Sequence, residues 1–156
     1  MFNFFKKKRY IDIYQPLMGS VVDISTVSDP TFAQKMMGEG VAIEPSNNVL
    51  VAPCDGQIAM VTPTKHALVI KNSNIEILLH IGLDTVELDG KGFTVNVKVN
   101  DIVKQGQPLI SFDSDFILQK GKKLITPIVV INMDKVKRLE KYLTSASGII
   151  MTIEEK

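Results

Sequence analysis

The apolar stretches of this chain are short, rich in Val and Ile, and cut by Gly, Pro or Asn every several residues, which leaves little room for long helices. From Tyr10 onward such runs fall at 11–14, 20–24, 40–43, 48–52, 57–61, 67–70, 75–79, 93–97, 109–112, 128–131 and 148–153. Many short strands at this spacing bury their apolar sides by facing one another. The sequence therefore predicts an all-β fold, an antiparallel β-sandwich or barrel-sandwich hybrid with a few short helices. Helical patches are predicted at 32–37, 114–120 and 134–142. The last has a cap at Asn132 or Asp134, and its Val136 and Leu139 turn inward at helical spacing.

A length of 156 residues suits one domain with a real core, taken here as 11–156 behind a flexible tail of residues 1–10. The formal net charge of +1 supplies no basic excess for neutralising phosphates, so no nucleic-acid partner is expected. The single cysteine, Cys54, excludes an internal disulfide framework and a thiolate zinc cluster, and fits a reducing cytoplasm. Beside Pro53 it reads as a small buried apolar residue. No apolar run approaches the ~18 residues of a membrane span. In the tail, Phe2, Phe4 and Phe5 accompany the basic run at 6–9, the reverse of a secretory leader, and offer at most weak contact with an anionic membrane surface. Pro16-Leu-Met-Gly-Ser-Val-Val and Pro53-Cys-Asp-Gly-Gln-Ile-Ala echo one another, as two related half-motifs do.

Both histidines of the chain, His66 and His80, lie in β-prone runs on either side of Asn72-Ser73-Asn74. As a three-residue hairpin loop with Asn74 in the left-handed position, this turn opposes Lys71 to Ile75 and His66 to His80. Opposed residues share a face, with Cβ atoms about 4.5–5.5 Å apart. A two-residue turn shifts the pairing by one and sends the histidines to opposite faces. Two imidazoles on one face suit metal binding or phosphoryl chemistry. They are too few to hold a catalytic zinc alone. Neither a nucleophile elbow nor a Gly-rich phosphate loop is present, whereas a histidine is itself a competent nucleophile. One ring would then accept the phosphoryl group while the other donates a hydrogen bond to its oxygens.

The run Asn74-Ile-Glu-Ile-Leu-Leu-His80-Ile-Gly82-Leu-Asp84-Thr85-Val86 resembles the signature of the glucose-type IIA component of the bacterial phosphoenolpyruvate-dependent sugar phosphotransferase system, with Asn74 standing where the family has Gly. The similarity extends through Pro16-Leu-Met-Gly, the segments at 29–40, 52–56 and 87–93, and Thr126-Pro-Ile-Val-Val-Ile-Asn-Met-Asp134. The resemblance implies a cytoplasmic phosphocarrier without a cofactor. In it His80 takes phosphate on Nε2 from the phosphohistidine of HPr and passes it to a cysteine of the IIB domain of a sugar permease. It further implies that His66 hydrogen-bonds the phosphoryl group, that Thr64 orients His66, and that the Gly82 carbonyl holds His80 through Nδ1–H. Phe32, Met36, Met37, Leu78 and Val86 are candidates for an apolar docking ring, and Asp29 and Asp84 for an acidic rim facing an arginine of HPr. With neither a IIB-like cysteine motif nor IIC-like spans, the chain is expected to be free-standing and to meet its permease in trans.

Two other functions are weighed against this one. The segment Val97-Lys-Val-Asn-Asp-Ile-Val-Lys-Gln-Gly-Gln-Pro-Leu-Ile is similar to lipoyl- and biotinyl-type carrier domains, with Lys135 as the only candidate for modification. That reading leaves the histidines unexplained. In the other, which the family resemblance also implies, the unphosphorylated face inhibits enzymes or transporters, with His66 and His80 as zinc ligands completed by a partner carboxylate.

Overall fold

The computed structural model describes residues 9–144 and 146–156, and the membrane-surface contact expected of Phe2, Phe4, Phe5 and the basic residues at 6–8 lies outside them. Strands β1 (Tyr10–Tyr14), β2 (Gly19–Asp23), β3 (Glu39–Pro45), β4 (Val49–Val51), β5 (Gly56–Val61), β6 (Ala67–Asn72) and β7 (Ile75–His80) make the first half of the chain. The second half adds β8 (Phe93–Val95), β9 (Ile102–Val103), β10 (Pro108–Phe112), β11 (Thr126–Val130), β12 (Val136–Lys141) and β13 (Ile149–Glu155). Two short helices interrupt them, α1 (Pro30–Ala33) and α2 (Ser114–Gln119). Every predicted strand is present to within two residues at either end.

The strands form a seven-stranded antiparallel sheet in the order β2-β3-β11-β7-β6-β5-β9, with two three-stranded sheets, β1-β13-β12 and β4-β10-β8. The echoed half-motifs bond to one another. The Tyr14 N–H donates to the Pro53 carbonyl at 2.8 Å, and in return the Val51 N–H donates to the Pro16 carbonyl at 2.9 Å.

Both faces of the large sheet at β6 and β7 are covered, which is why these strands are apolar almost throughout. Leu68, Ile70, Ile77 and Leu79 point into the main core, whereas Ala67, Val69 and Leu78 join Phe32, Leu83 and Val129 in a smaller cluster. Cys54 is buried in the main core, where burial and the neighbouring Asp55 push its thiol up to about 12, so it packs as an apolar residue.

Two helix expectations are corrected. The first helix occupies Pro30–Ala33, because Asp29 Oδ1 accepts from the Thr31 N–H at 2.9 Å and Pro30 supplies a pre-set first turn. It stops before Met36 and Met37, since Lys35 takes a left-handed φ of 60°. The stretch expected as a helix over 134–142 is instead a 3-10 turn, Met133–Lys135, followed by β12. A bulge between Val136 and Arg138 inserts one extra residue into β12, so Val136 and Leu139, three apart, both face the core. The bulged strand thus mimics a helical period.

The hairpin turn differs as well. β6 and β7 pair Asn72 with Ile75 and Ala67 with His80, so the turn has two residues, and Ser73 rather than Asn74 takes the positive φ, 54°. The C-terminal strand selects this turn. The Glu155 carboxylate accepts from Ser73 Oγ at 2.9 Å and from the Asn74 N–H at 2.9 Å, and Asn132 Oδ1 accepts from the Glu76 N–H at 2.9 Å.

Candidate functional site

β7 ends at His80, and the chain leaves the sheet through Gly82 at φ 76°. A Cβ at Gly82 would lie 2.6 Å from the Lys123 carbonyl oxygen and 2.6 Å from Thr85 Cγ2, so only glycine fits. The bend brings the Gly82 carbonyl to 2.8 Å from His80 Nδ1. A carbonyl only accepts hydrogen bonds. Nδ1 therefore carries the ring proton, and Nε2 is left with a lone pair.

His66 reaches the site by a different route. The Thr62 hydroxyl donates to the Ala67 carbonyl at 3.1 Å and accepts from the Ala67 N–H at 3.2 Å, closing a tight turn in which Lys65 has φ 65°. The two-residue hairpin pairs Ala67, not His66, with His80, and within a regular ladder that register separates the histidines onto opposite faces. His66, however, precedes the first residue of β6. The ladder continues one backbone step, from the Ile81 N–H to the His66 carbonyl at 2.8 Å, but the pleat no longer governs the side chain. The two imidazoles meet edge to face, their centroids 4.7 Å apart and their planes at 83°. Thr64 Oγ1 lies 2.9 Å from His66 Nδ1.

Burial, and then the neighbouring His80, push the His66 imidazole down to about 4, against a smaller opposing effect of a backbone hydrogen bond at Thr64. Burial also lowers His80, which the Gly82 carbonyl, its own backbone and the carboxylates of Asp29 and Asp84 partly offset. Both rings favour the neutral form, as an imidazole nucleophile requires.

The other predicted residues divide by exposure. Phe32 and Leu78 are buried, each 4% exposed, and the Phe32 ring stands edge-on to His80 with centroids 5.0 Å apart. Both belong to one buried cluster, while Met36, Met37 and Val86 remain exposed, Met36 by 71%. Asp29 is half-exposed while capping α1, and Asp84 is exposed with φ 61°. Sequence reasoning missed Thr62, two residues before Thr64, and Phe93, whose ring centroid is 6.4 Å from that of His66. Phe93 closes a segment that carries the family resemblance, but nothing in its neighbourhood signals contact with a residue so distant in the chain. Lys135 lies in the 3-10 turn before β12, away from any hairpin tip. Among the described residues, no three His, Cys, Asp or Glu side chains converge to hold a metal, and no helix is long and apolar enough to cross a membrane.

Comparison with known proteins places the chain in a family. Residues 11–136 match the family model described as phosphoenolpyruvate-dependent sugar phosphotransferase system, EIIA 1. The chain is 47% identical over 143 residues to the glucose-specific EIIA component of Oceanobacillus iheyensis, covering 88% of this chain and 87% of that one. It is 50% identical over 123 residues to the glucose-specific EIICBA component of Staphylococcus carnosus, covering 78% of this chain but only 18% of that longer protein. Among solved structures, the glucose permease IIA from Mycoplasma capricolum superposes with a TM-score of 0.82 at 31% identity, covering 97% of this chain and 99% of that one. The chain belongs to the EIIA 1 family of the sugar phosphotransferase system. It is a phosphocarrier of that system, a phosphotransferase component working through phosphohistidine.

Proposed function

We propose that His80 accepts the phosphoryl group on Nε2 from the phosphohistidine of HPr and delivers it to a cysteine of the IIB domain of a sugar permease, in the cytoplasm. The observation that carries this reading is the 2.8 Å contact between His80 Nδ1 and the Gly82 carbonyl, which leaves Nε2 as the free nucleophile. The lone pair of Nε2 forms the new N–P bond as the donor's N–P bond breaks. Nδ1 keeps its proton, donated to the Gly82 carbonyl, throughout. In the second step the thiolate sulfur of the acceptor forms an S–P bond, and the electron pair of the breaking N–P bond returns to Nε2.

His66 stabilises the phosphoryl group. We assign the donor role to the Thr64 hydroxyl, 2.9 Å from Nδ1, which places the one proton of the neutral His66 ring on Nε2, ready to bind a phosphoryl oxygen. Transfer of this kind needs positioning and dispersed charge stabilisation more than covalent assistance. Exposed Met36, Met37 and Val86 supply a docking rim, with Asp29 and Asp84 as its acidic members, while buried Phe32 and Leu78 brace the ring from below.

Incubation with phosphoenolpyruvate, enzyme I and HPr is expected to add the mass of one phosphate, absent in His80→Gln. Adding candidate IIB domains should then remove it. A mass gain on His66, or a gain of biotin or lipoate, overturns the reading.

A further inference from the structure

The turn after β7 is held at more points than a strand exit requires. Thr85 is wholly buried, and its hydroxyl donates to the Ile81 carbonyl at 2.6 Å. The Leu83 N–H donates to the Lys123 carbonyl at 3.0 Å. Both peptide groups flanking Gly82 are therefore pinned, the first by Thr85 at its oxygen and the second by Lys123 at its N–H. The oxygen of the second is the Gly82 carbonyl that meets His80 Nδ1. The Thr85 methyl closes the remaining space, since a Cβ on Gly82 would come within 2.6 Å of it. Glycine is the residue most free to rotate, so without these restraints Gly82 is where this backbone would swing its carbonyl away. His80 would then be free to carry its proton on either nitrogen.

Resting on the phosphocarrier reading and going beyond it, we infer that Thr85 is a positioning residue: by pinning the Ile81–Gly82 peptide it locks the Gly82 carbonyl onto Nδ1 and so selects Nε2 of His80 as the phosphoryl acceptor. Thr85 touches neither reacting nitrogen. It acts through the backbone, as hydrogen-bond partners one step removed from a metal fix the tautomer of a ligating imidazole. When the lock is lost, a fraction of His80 carries its proton on Nε2, where no lone pair is available for attack, and presents Nδ1 instead.

The test compares Thr85→Val and Thr85→Ala, which remove the hydroxyl, with Thr85→Ser, which keeps it. Nitrogen-15 spectra of the imidazole report the His80 tautomer without any reaction, and phosphorus spectra after phosphorylation by phospho-HPr report the nitrogen that carries phosphate. Wild type and Thr85→Ser are expected to show a single tautomer with the proton on Nδ1 and phosphate on Nε2. Thr85→Val and Thr85→Ala should show mixed tautomers and accept phosphate about 10- to 100-fold more slowly, the range seen when such supporting partners are removed. A folded Thr85→Val or Thr85→Ala with the wild-type tautomer overturns the proposal. So does failure of both variants to fold, which would make Thr85 a folding residue. Failure of wild type to take phosphate on His80 counts against the phosphocarrier reading alone, because the tautomer comparison still judges Thr85.

Discussion

His66 and His80 face each other at 4.7 Å between ring centroids although the strand ladder pairs His80 with Ala67. The meeting depends on where β6 begins. Had β6 begun one residue earlier, the pleat would have turned His66 to the face away from His80. The two rings also differ in anchorage, His80 to a backbone carbonyl and His66 to a hydroxyl, so their nitrogens have different freedom. A carbonyl dictates the tautomer, whereas a hydroxyl accommodates either.

This asymmetry separates the two steps of transfer. His66→Gln is expected to accept phosphate on His80, because Nε2 of that ring is untouched, but to transfer it onward at least about tenfold more slowly for want of a transition-state donor. Single-turnover transfer to a IIB domain from prephosphorylated protein measures the second step by itself. Equal transfer rates in variant and wild type would remove His66 from the mechanism.

Stability is expected to fall in mild acid. His66 is pushed from 6.5 down to about 4 in the folded protein, so between those values the unfolded chain binds more protons and stability decreases as pH falls. From about pH 7 to about pH 5 this one ring accounts for a loss of about 2 kcal/mol. His80, lowered as well, adds to it in the same direction. Carboxylates such as Glu155, held below their usual 4.5, contribute stability that persists through that interval and is lost only at lower pH, so the comparison isolates the histidines. Urea denaturation at the two pH values tests this, and His66→Gln should flatten the dependence.

Gly82→Ala is expected to lower stability by about 2 kcal/mol or more, since the added Cβ meets the Lys123 carbonyl oxygen at 2.6 Å at a positive φ that L side chains rarely adopt. Phosphate acceptance should fall with it, because relief of the clash moves the carbonyl that orients His80. A variant with wild-type thermal stability would show that the turn has room the structure denies.

Glu155→Ala separates folding from chemistry. Its carboxylate is buried, 7% exposed, and binds Ser73 Oγ and the Asn74 N–H at the closed end of the histidine hairpin. Losing charged hydrogen bonds of this kind costs about 2–3 kcal/mol. The site lies at the opposite end of the strands, so phosphorylation of the folded fraction should remain at the wild-type rate. Chemical denaturation together with initial phosphorylation rates checks both halves of the expectation.

The strands were legible because short Val- and Ile-rich runs between turn residues have few alternatives, and the nearest contacts of the site were legible because they are local. Gly82 bonds a ring two residues away, and Thr64 likewise. Periodicity misled at β12, where a bulge places Val136 and Leu139 on one face at helical spacing, and at the hairpin, where the turn length follows from Glu155, 82 residues along the chain from Ser73. By itself, then, the sequence determined an antiparallel β fold, the two histidines and the motif around them. Tertiary structure decided how the histidines meet, that Phe32 braces His80 and Phe93 approaches His66, and that burial keeps both rings neutral. Those features depend on where strands end and on which distant segments close over them. Both are settled by packing the whole chain, beyond the reach of any local run of residues.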